Sequence, residues 1–315
     1  MKTALVLGVT GNFGEAMAQA LQKRGWKVKA LVRNPEKLTA EQRGYEIIHG
    51  DFQDTHTLKA AAQGADLLVY AINPPYDQWK QSAMTMLEPV VTLAEQNNLH
   101  ILFPGNVYTL KPSNNLIDEK AKPDPVSTKG SIRVDMEARL RKASQCGARI
   151  TIVRAGDFIG ERGQWISYAL KRKRDHYTLQ LPHSETHRHY WSYLPDLSAN
   201  AAQLIERQHT SFAVWNDPGL VLTIGDWQQA FESNGIVLKT RRFPWWVFHL
   251  ISVFSPMLKE VIEMKYLWED ELVLDGSKMR RELGEAMQET GIQQIVKDLV
   301  EVGSNNVVKK NVELV

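Results

Sequence analysis

The run Ala4-Leu5-Val6-Leu7-Gly8-Val9-Thr10-Gly11-Asn12-Phe13-Gly14 constrains this chain more than any other stretch. Apolar residues followed by regularly spaced glycines read as a buried strand, a tight turn and the start of a helix. Gly8 permits the turn, Gly11 lets backbone N–H groups approach a pyrophosphate, and Gly14 lets the helix pack closely on the sheet. The spacing predicts a dinucleotide cradled by Gly8, Thr10, Gly11, Asn12, Phe13 and Gly14. Three glycines alone would also fit a turn without a ligand, so the context matters. Here Glu15 to Arg24 reads as a helix with apolar Met17, Ala18, Ala20 and Leu21, Gly25 ends it, and Trp26 to Val32 follows as a strand. That sequence of elements is a βαβ unit.

At 315 residues the chain can bury a large core, as one domain of two lobes or as two domains. With 38 basic and 36 acidic residues, a net charge of +2 gives no electrostatic case for nucleic acid. The only cysteine, Cys146, cannot form an internal disulfide, and its helix-end setting reads as an inert packed thiol. A reducing compartment, the cytoplasm, is expected. The N-terminal apolar stretch is too short for a signal segment and is needed as the first strand.

Alternation of strand and helix signals predicts an α/β fold, a Rossmann doubly wound parallel sheet with a smaller C-terminal substrate lobe. Strands are expected at Tyr45 to Ile48, Asp66 to Ala71, Ile101 to Pro104 and Arg149 to Arg154. Helices are expected at Pro35 to Arg43, His56 to Ala62, Asp77 to Asn97 and Ser131 to Ser144. The pattern changes past Gly160, with the basic stretch Lys171 to Arg174, a loop carrying His183, His187 and His189, and Asp196-Leu197-Ser198 as an N-cap. This gives a dinucleotide-binding domain over 1–156, rejoined at about 190–216, and a substrate lobe from 157–189 and 217–315.

Phe243 to Phe254 is rich in Trp, Phe and Leu, but its twelve residues fall short of the roughly 20 that span a bilayer. A helix packed over the substrate cleft is expected, with a surface-lying amphipathic helix beside Arg241 and Arg242 as the alternative. No stable membrane insertion is expected.

An acidic residue at the end of the second strand would bind a ribose 2′-hydroxyl and repel a 2′-phosphate. Arg33 stands there instead, followed by Asn34, which favours NADP over NAD. A solvated arginine at a strand end is the plainer alternative. Asp51 and Phe52, after the third strand, are expected beside the adenine. Ala71, Ile72 and Asn73, after the fourth, are expected beside the ribose nearer the nicotinamide.

The chain resembles the short-chain dehydrogenase/reductase superfamily, in its extended and atypical members grouped with NAD-dependent epimerase/dehydratase and NmrA-like proteins. The resemblance rests on Gly8 to Gly14, Gly50-Asp51-Phe52, Asn73 to Tyr76, Phe103 to Tyr108, Val153 to Phe158 and Tyr193 to Asp196. Active members hold the substrate oxygen with a Ser or Thr after the fifth strand and use a Tyr-x-x-x-Lys helix for proton transfer. The matching positions here carry Asn106, Lys129 and Arg133, so the resemblance implies a site with all three residues replaced. Asn106 can still donate to an oxyanion. Arg133 keeps the charge without shuttling a proton. Lys129 could act as an acid if burial and Arg133 disfavour its ammonium, and Tyr108 is the other possible proton donor. The structural alternatives are a solvated helix face, with Arg133 pairing to Glu137, and a packed Tyr108. The three histidines with Glu185 are read as a polar rim facing substrate, without a metal.

Two functions follow from the resemblance. One is an NADP-linked oxidoreductase, or an epimerase or dehydratase, working on a small carbonyl or hydroxyl compound as a monomer or homodimer. The other is an NmrA-like sensor that binds the dinucleotide without turnover.

Overall fold

The computed structural model describes residues 1–160 and 165–301. Residues 161–164 and 302–315, expected in the smaller lobe, lie outside the described residues. The first half alternates β1 (Thr3–Leu7), α1 (Asn12–Lys23), β2 (Lys27–Val32), β3 (Glu46–His49), α2 (Thr55–Ala61), β4 (Leu67–Tyr70), α3 (Trp79–Asn97), β5 (His100–Asn106), α4 (Thr128–Gln145) and β6 (Arg149–Ala155). With the strand Phe212–Asn216 these form a seven-stranded sheet in the order Phe212–Asn216, β6, β5, β4, β1, β2, β3. Every pairing in it is parallel. This is the doubly wound Rossmann architecture. The strand order reverses at β1, which has β2 on one side and β4 on the other, so the carboxyl ends of these strands open a crevice.

Alternation in β1 shows why both faces of the sheet are covered. Ala4 and Val6 pack with Met17, Leu21, Leu197 and Ala201 on one face. Leu5 and Leu7 pack with Leu87, Val91, Met136 and Leu140 on the other. Each such aliphatic side chain contributes about 1.5–3 kcal/mol on burial.

A second core gathers Trp191, Trp227, Phe231 and Trp268. Beside it, Asp157–Ile159, His189–Tyr193 and Leu220–Leu222 form one three-stranded sheet, and Leu170–Arg172, Tyr177–Leu179 and Leu238–Thr240 form another. Between them, the helix Leu194–Arg207 and the strand Phe212–Asn216 carry the chain back to the main sheet.

Four expectations need correction. Pro35 to Arg43 is two 3-10 turns, Pro35–Lys37 and Gln42–Gly44. The Gln42 side chain donates to Val9 O at 3.1 Å and accepts from the Thr39 N–H at 3.1 Å, pinning the segment to the end of β1 instead of letting it wind on. Asp196 does not cap the helix, which begins two residues earlier at Leu194. Its carboxylate instead takes the Thr290 N–H at 2.5 Å and hydroxyl at 2.9 Å. Cys146 follows α4 as expected but is exposed, not packed. Finally, Phe243 to Phe254 is not one helix lying over a cleft. Trp245–Ser252 is helical and is followed by a separate helix, Pro256–Glu263, and Trp246, Leu250 and Phe254 face outward. No helix among the described residues is long and apolar enough to cross a membrane.

Candidate functional site

The glycine turn meets β4 at the reversal point. Gly8 has φ +92°, and a Cβ there would collide with the Ala71 carbonyl. At Gly14 a Cβ would collide with the Gly8 carbonyl, so that glycine sets how closely α1 docks on the strand ends. Gly11 differs: it is exposed, and an added Cβ would approach Gly8 O at 3.3 Å with nothing else nearer than 3.9 Å. The turn is closed by the Gly11 N–H donating to Gly8 O at 2.9 Å. Gly11 also caps α1 without a side-chain hydrogen bond, leaving first-turn N–H groups directed outward. Bare N–H groups at a helix start beside a glycine cradle fit a pyrophosphate.

The other expected contacts are distributed along the same edge. Thr10 is exposed and Asn12 half-buried, whereas Phe13 is buried and stacks on Phe158 at 6.0 Å. Arg33 is exposed beyond β2. Its carbonyl lies 3.2 Å from His49 Nε2, and its guanidinium forms no ion pair among the described residues. Asp51 is half-exposed and accepts from the Gln53 N–H at 3.0 Å. The Phe52 ring is packed in the core with Leu31 and Leu58, so it leaves only backbone toward a ligand. Ala71 and Ile72 are half-buried against the glycine turn, and Asn73 is exposed.

Of the three replaced positions, Asn106 is half-buried and the other two are removed from solvent. Lys129 and Arg133 belong to the inward stripe of α4, with Met136, Leu140 and Ala143, and are 1% and 4% exposed. The Arg133 guanidinium sits over the rings of Trp79 and Phe103 at 5.0 and 4.9 Å. It donates to Pro104 O at 3.1 Å and to Asn73 Oδ1 at 3.4 Å, while its buried Nε has no partner. Burial lowers its pKa from the ordinary value, with the phenols and Glu137 opposing. The Arg133–Glu137 pair of the alternative reading is not formed, because Glu137 turns to Arg154, at 2.6 Å from Nη2.

Lys129 is held by two carboxylates, Glu260 and Glu263, the latter at 3.3 Å, and its ammonium lies 5.1 Å from the centre of the Tyr76 ring. Both acids come from the helix Pro256–Glu263. An amine engaged in this way is an anchor for that helix, and the arrangement leaves the acid role open to another group.

Asn106 ends β5, and its Oδ1 accepts from the Tyr108 N–H at 3.0 Å, capping a 3-10 turn. That turn places the Tyr108 hydroxyl 3.2 Å from the Tyr76 hydroxyl, with the Trp79 ring 5.9 Å from the Tyr76 ring and 6.5 Å from that of Tyr108. Burial raises the pKa of Tyr76, and raises that of Tyr108 well above the usual phenol. The negative charge of Asp157 adds to both shifts and Arg133 opposes them. Both groups are therefore neutral phenols able to donate.

Of the residues expected on a polar rim, Glu185 is exposed and His183 and His187 are half-buried, but the third histidine turns into the fold. His189 is buried, lies 2.9 Å from Asp157 Oδ2 and stacks on Trp268 at 3.7 Å, as part of the second core. His183 packs 5.8 Å from the same indole, and burial pulls its pKa down to about 4, leaving a neutral ring at pH 7. Among the described residues no group of His, Cys, Asp or Glu is placed to hold a metal.

Sequence reasoning missed Glu260 and Glu263 as partners of Lys129. Their three-residue spacing puts them on one helix face, but nothing local points to a lysine so far away in the chain.

Residues 8–175 match a family described as NAD(P)H-binding. Among curated proteins, the chain is 37% identical over 71 residues to (4-alkanoyl-5-oxo-2,5-dihydrofuran-3-yl)methyl phosphate reductase of Streptomyces griseus, covering 22% of this chain and 25% of that one. The matched stretches span only 12% to 28% of the curated relatives' lengths. Solved structures cover nearly all of it. L-threonine dehydrogenase from Clostridium difficile superposes with TM-score 0.76 at 16% identity, over 97% of this chain and 98% of that one. UDP-glucose 4-epimerase from Thermus thermophilus, solved with NAD, superposes with TM-score 0.68 at 16% identity, over 93% and 96%. At these identities the likeness establishes the fold.

Proposed function

The chain belongs to the NAD(P)H-binding family, and on that premise we propose that it is an NADP(H)-linked oxidoreductase of the short-chain dehydrogenase/reductase type, acting on a small carbonyl or hydroxyl compound. The observation that carries this reading is the pair of half-buried phenols, Tyr108 and Tyr76, 3.2 Å apart beyond the carboxyl ends of β5 and β4. They stand on the same sheet edge as the glycine cradle. When bound, the nicotinamide would supply the hydride in reduction or accept it in oxidation.

The proton work falls to the chain. In reduction, hydride addition to a carbonyl carbon leaves negative charge on the oxygen, and the Tyr108 O–H is the donor that meets it. Tyr76 can replace that proton across its 3.2 Å contact. Arg133 favours a transient phenolate, since its charge opposes the upward shift of both tyrosines. The Asn106 amide nitrogen, not used in capping the turn, can orient the substrate oxygen. Exposed Arg33 supports NADP over NAD through a charge-assisted contact to a 2′-phosphate. A lone free cysteine supports the cytoplasm as its compartment.

One observation favours the second reading, a sensor that binds the dinucleotide without turnover: Lys129 is sealed by Glu260 and Glu263. A single fluorescence record separates the two. NADPH is added to the purified protein, with NADH in parallel, followed by a small-molecule extract. Binding followed by sustained extract-dependent decay establishes the oxidoreductase. Binding without decay in any extract fraction favours the sensor, and no binding of either nucleotide overturns both.

A further inference from the structure

The outward face of the helix Trp245–Ser252, its exit turn and the start of the next helix carry Trp246, Leu250, Ile251, Val253, Phe254 and Met257, all exposed, with Phe254 at 88%. A contiguous exposed apolar patch of this kind marks a contact surface. The inward face is anchored. The Trp245 indole donates to Pro182 O at 2.8 Å, its ring lies 4.9 Å from Phe243, and Phe248 is 4.6 Å from Phe243. The helix is therefore fixed in place while its other side lacks cover.

Charge decides what covers it. The helix starts where the sheet of Leu170–Arg172, Tyr177–Leu179 and Leu238–Thr240 ends, tied there by the Arg241 N–H to Leu179 O at 2.9 Å and the Gln180 amide to Arg242 O at 2.9 Å. Residues 165–174 contain Lys171, Arg172, Lys173 and Arg174, and residues 236–259 contain Lys239, Arg241, Arg242 and Lys259. Neither segment contains an Asp or Glu, in a chain whose net charge is only +2. All eight basic residues are exposed.

We propose that this face docks the protein reversibly on an anionic lipid bilayer. The helix lies in the interfacial plane, with Trp246, Leu250 and Phe254 entering the acyl boundary and the basic residues meeting the headgroups. Eight residues of helix measure about 12 Å, against a hydrocarbon core of roughly 30 Å, so the helix rests on the bilayer and does not cross it. A second copy of this chain is a poor occupant, because a self-complementary contact would set the same basic rim against itself. The exit turn leads through Ser255 into Pro256–Glu263, whose acids hold Lys129. The lipid-facing segment is thus continuous with the one that closes on the candidate site.

The test is cosedimentation of the full chain with vesicles of phosphatidylcholine alone and of phosphatidylcholine mixed with phosphatidylglycerol. Binding to the mixed vesicles is expected, weakened by salt, and reduced about fivefold by each of Arg241→Gln and Arg242→Gln. Phe254→Ser is expected to weaken it by roughly 10- to 100-fold. Both kinds of substitution are at exposed positions, and unchanged circular dichroism and melting establish that the variants fold. Should Phe254→Ser unfold, the arginine variants and the salt series decide. Absence of binding to mixed vesicles, or binding that folded variants leave unchanged, overturns the proposal. So does a concentration-dependent dimer that Phe254→Ser dissolves in the absence of vesicle binding, which assigns the patch to a second copy. NADPH affinity measured on the same samples is independent of this outcome.

Discussion

The Lys129 ammonium lies 3.3 Å from Glu263 Oε2, joining residues 134 positions apart. The other oxygen of Glu263 accepts the Thr128 N–H at 2.7 Å. Burial by itself would raise the Glu263 pKa, and these contacts bring it below the ordinary carboxylate range. The helix Pro256–Glu263 is thereby latched to the start of α4. Replacing Lys129 with Met leaves Glu260 and Glu263 facing a buried apolar group. The cost is expected at about 1–3 kcal/mol in urea unfolding, less than a fully enclosed pair because both acids keep access to water. Glu260→Gln and Glu263→Gln in the Lys129→Met background should recover most of it. If Lys129 is only this anchor, the folded triple variant retains turnover, and loss of turnover with intact NADPH binding would restore Lys129 as the acid.

Tyr108→Phe removes one hydroxyl from a half-buried pair and leaves the ring in place. Turnover is expected to fall about 10²- to 10⁴-fold with NADPH affinity unchanged. Tyr76→Phe should cost less, because its proposed role is to resupply a proton rather than deliver it. Equal losses in kcat for the two variants would contradict that division of labour.

The glycine turn separates folding from binding. A Cβ at Gly14 collides with the Gly8 carbonyl, whereas one at Gly11 nears Gly8 O only to 3.3 Å. Gly14→Ala is expected to lower stability by several kcal/mol or to give no soluble protein. Gly11→Ala should melt like the parent but bind dinucleotide at least about tenfold more weakly, since the space it fills is the one proposed for the pyrophosphate. Calorimetric melting and nucleotide titration of the two variants read both effects, and a Gly11→Ala protein with full affinity would move the pyrophosphate elsewhere.

The parts of this molecule legible in its sequence are those set by local pattern. Strand, turn and helix at Leu5 to Gly14 follow from glycine geometry and apolar runs, and the parallel order follows from alternation. The burial of Lys129 and Arg133 was only partly legible: 129, 133, 136, 140 and 143 keep a single helical stripe that ends in Met, Leu and Ala, but the helix starts at Thr128, before the expected Ser131. Charged residue types obscured it. The latch from Glu260 and Glu263 was not legible, because it depends on two segments meeting through tertiary packing. The outward turn of Trp246 and Phe254 was legible only as the alternative, because a cluster of aromatic residues reads as core whether or not the fold supplies a surface to cover it.

Arg33 is the residue on which the choice of nucleotide is expected to rest. A guanidinium contact to a 2′-phosphate is worth about 1.5–3 kcal/mol, so Arg33→Ala should weaken NADPH binding by roughly 10- to 100-fold and leave NADH nearly unchanged. Arg33→Asp should go further and reverse the preference, by offering the 2′-hydroxyl an acceptor and repelling the phosphate. Parallel titrations with both nucleotides decide it, and equal losses for the two would show that Arg33 does not read the 2′ position.

Asp217 predicts a pH dependence that can be isolated from the rest of the protein. It follows the strand Phe212–Asn216, and its N–H donates to Arg154 O at 2.9 Å, while the Tyr190 hydroxyl donates to its carbonyl. Burial pushes its carboxyl up to about 7, with Ser192 and Arg280 opposing and Asp196 and Glu289 adding to the rise. In the unfolded chain the group titrates near its ordinary value of about 4. Between those two values the folded state holds more protons than the unfolded one, so this group's contribution to stability falls as pH rises and levels off above about 7. Carboxylates held low by ion pairs, such as Glu88 beside Arg139, slope the other way, so the total curve does not report Asp217. The difference between parent and Asp217→Asn does, because every other group titrates alike in both. Urea unfolding at a series of pH values should show that difference moving steadily against the parent from about pH 4 to about pH 7 and then holding constant. A difference that stays flat across this window would mean that the Asp217 carboxyl is ionised in the folded protein, with a charged partner that compensates its burial.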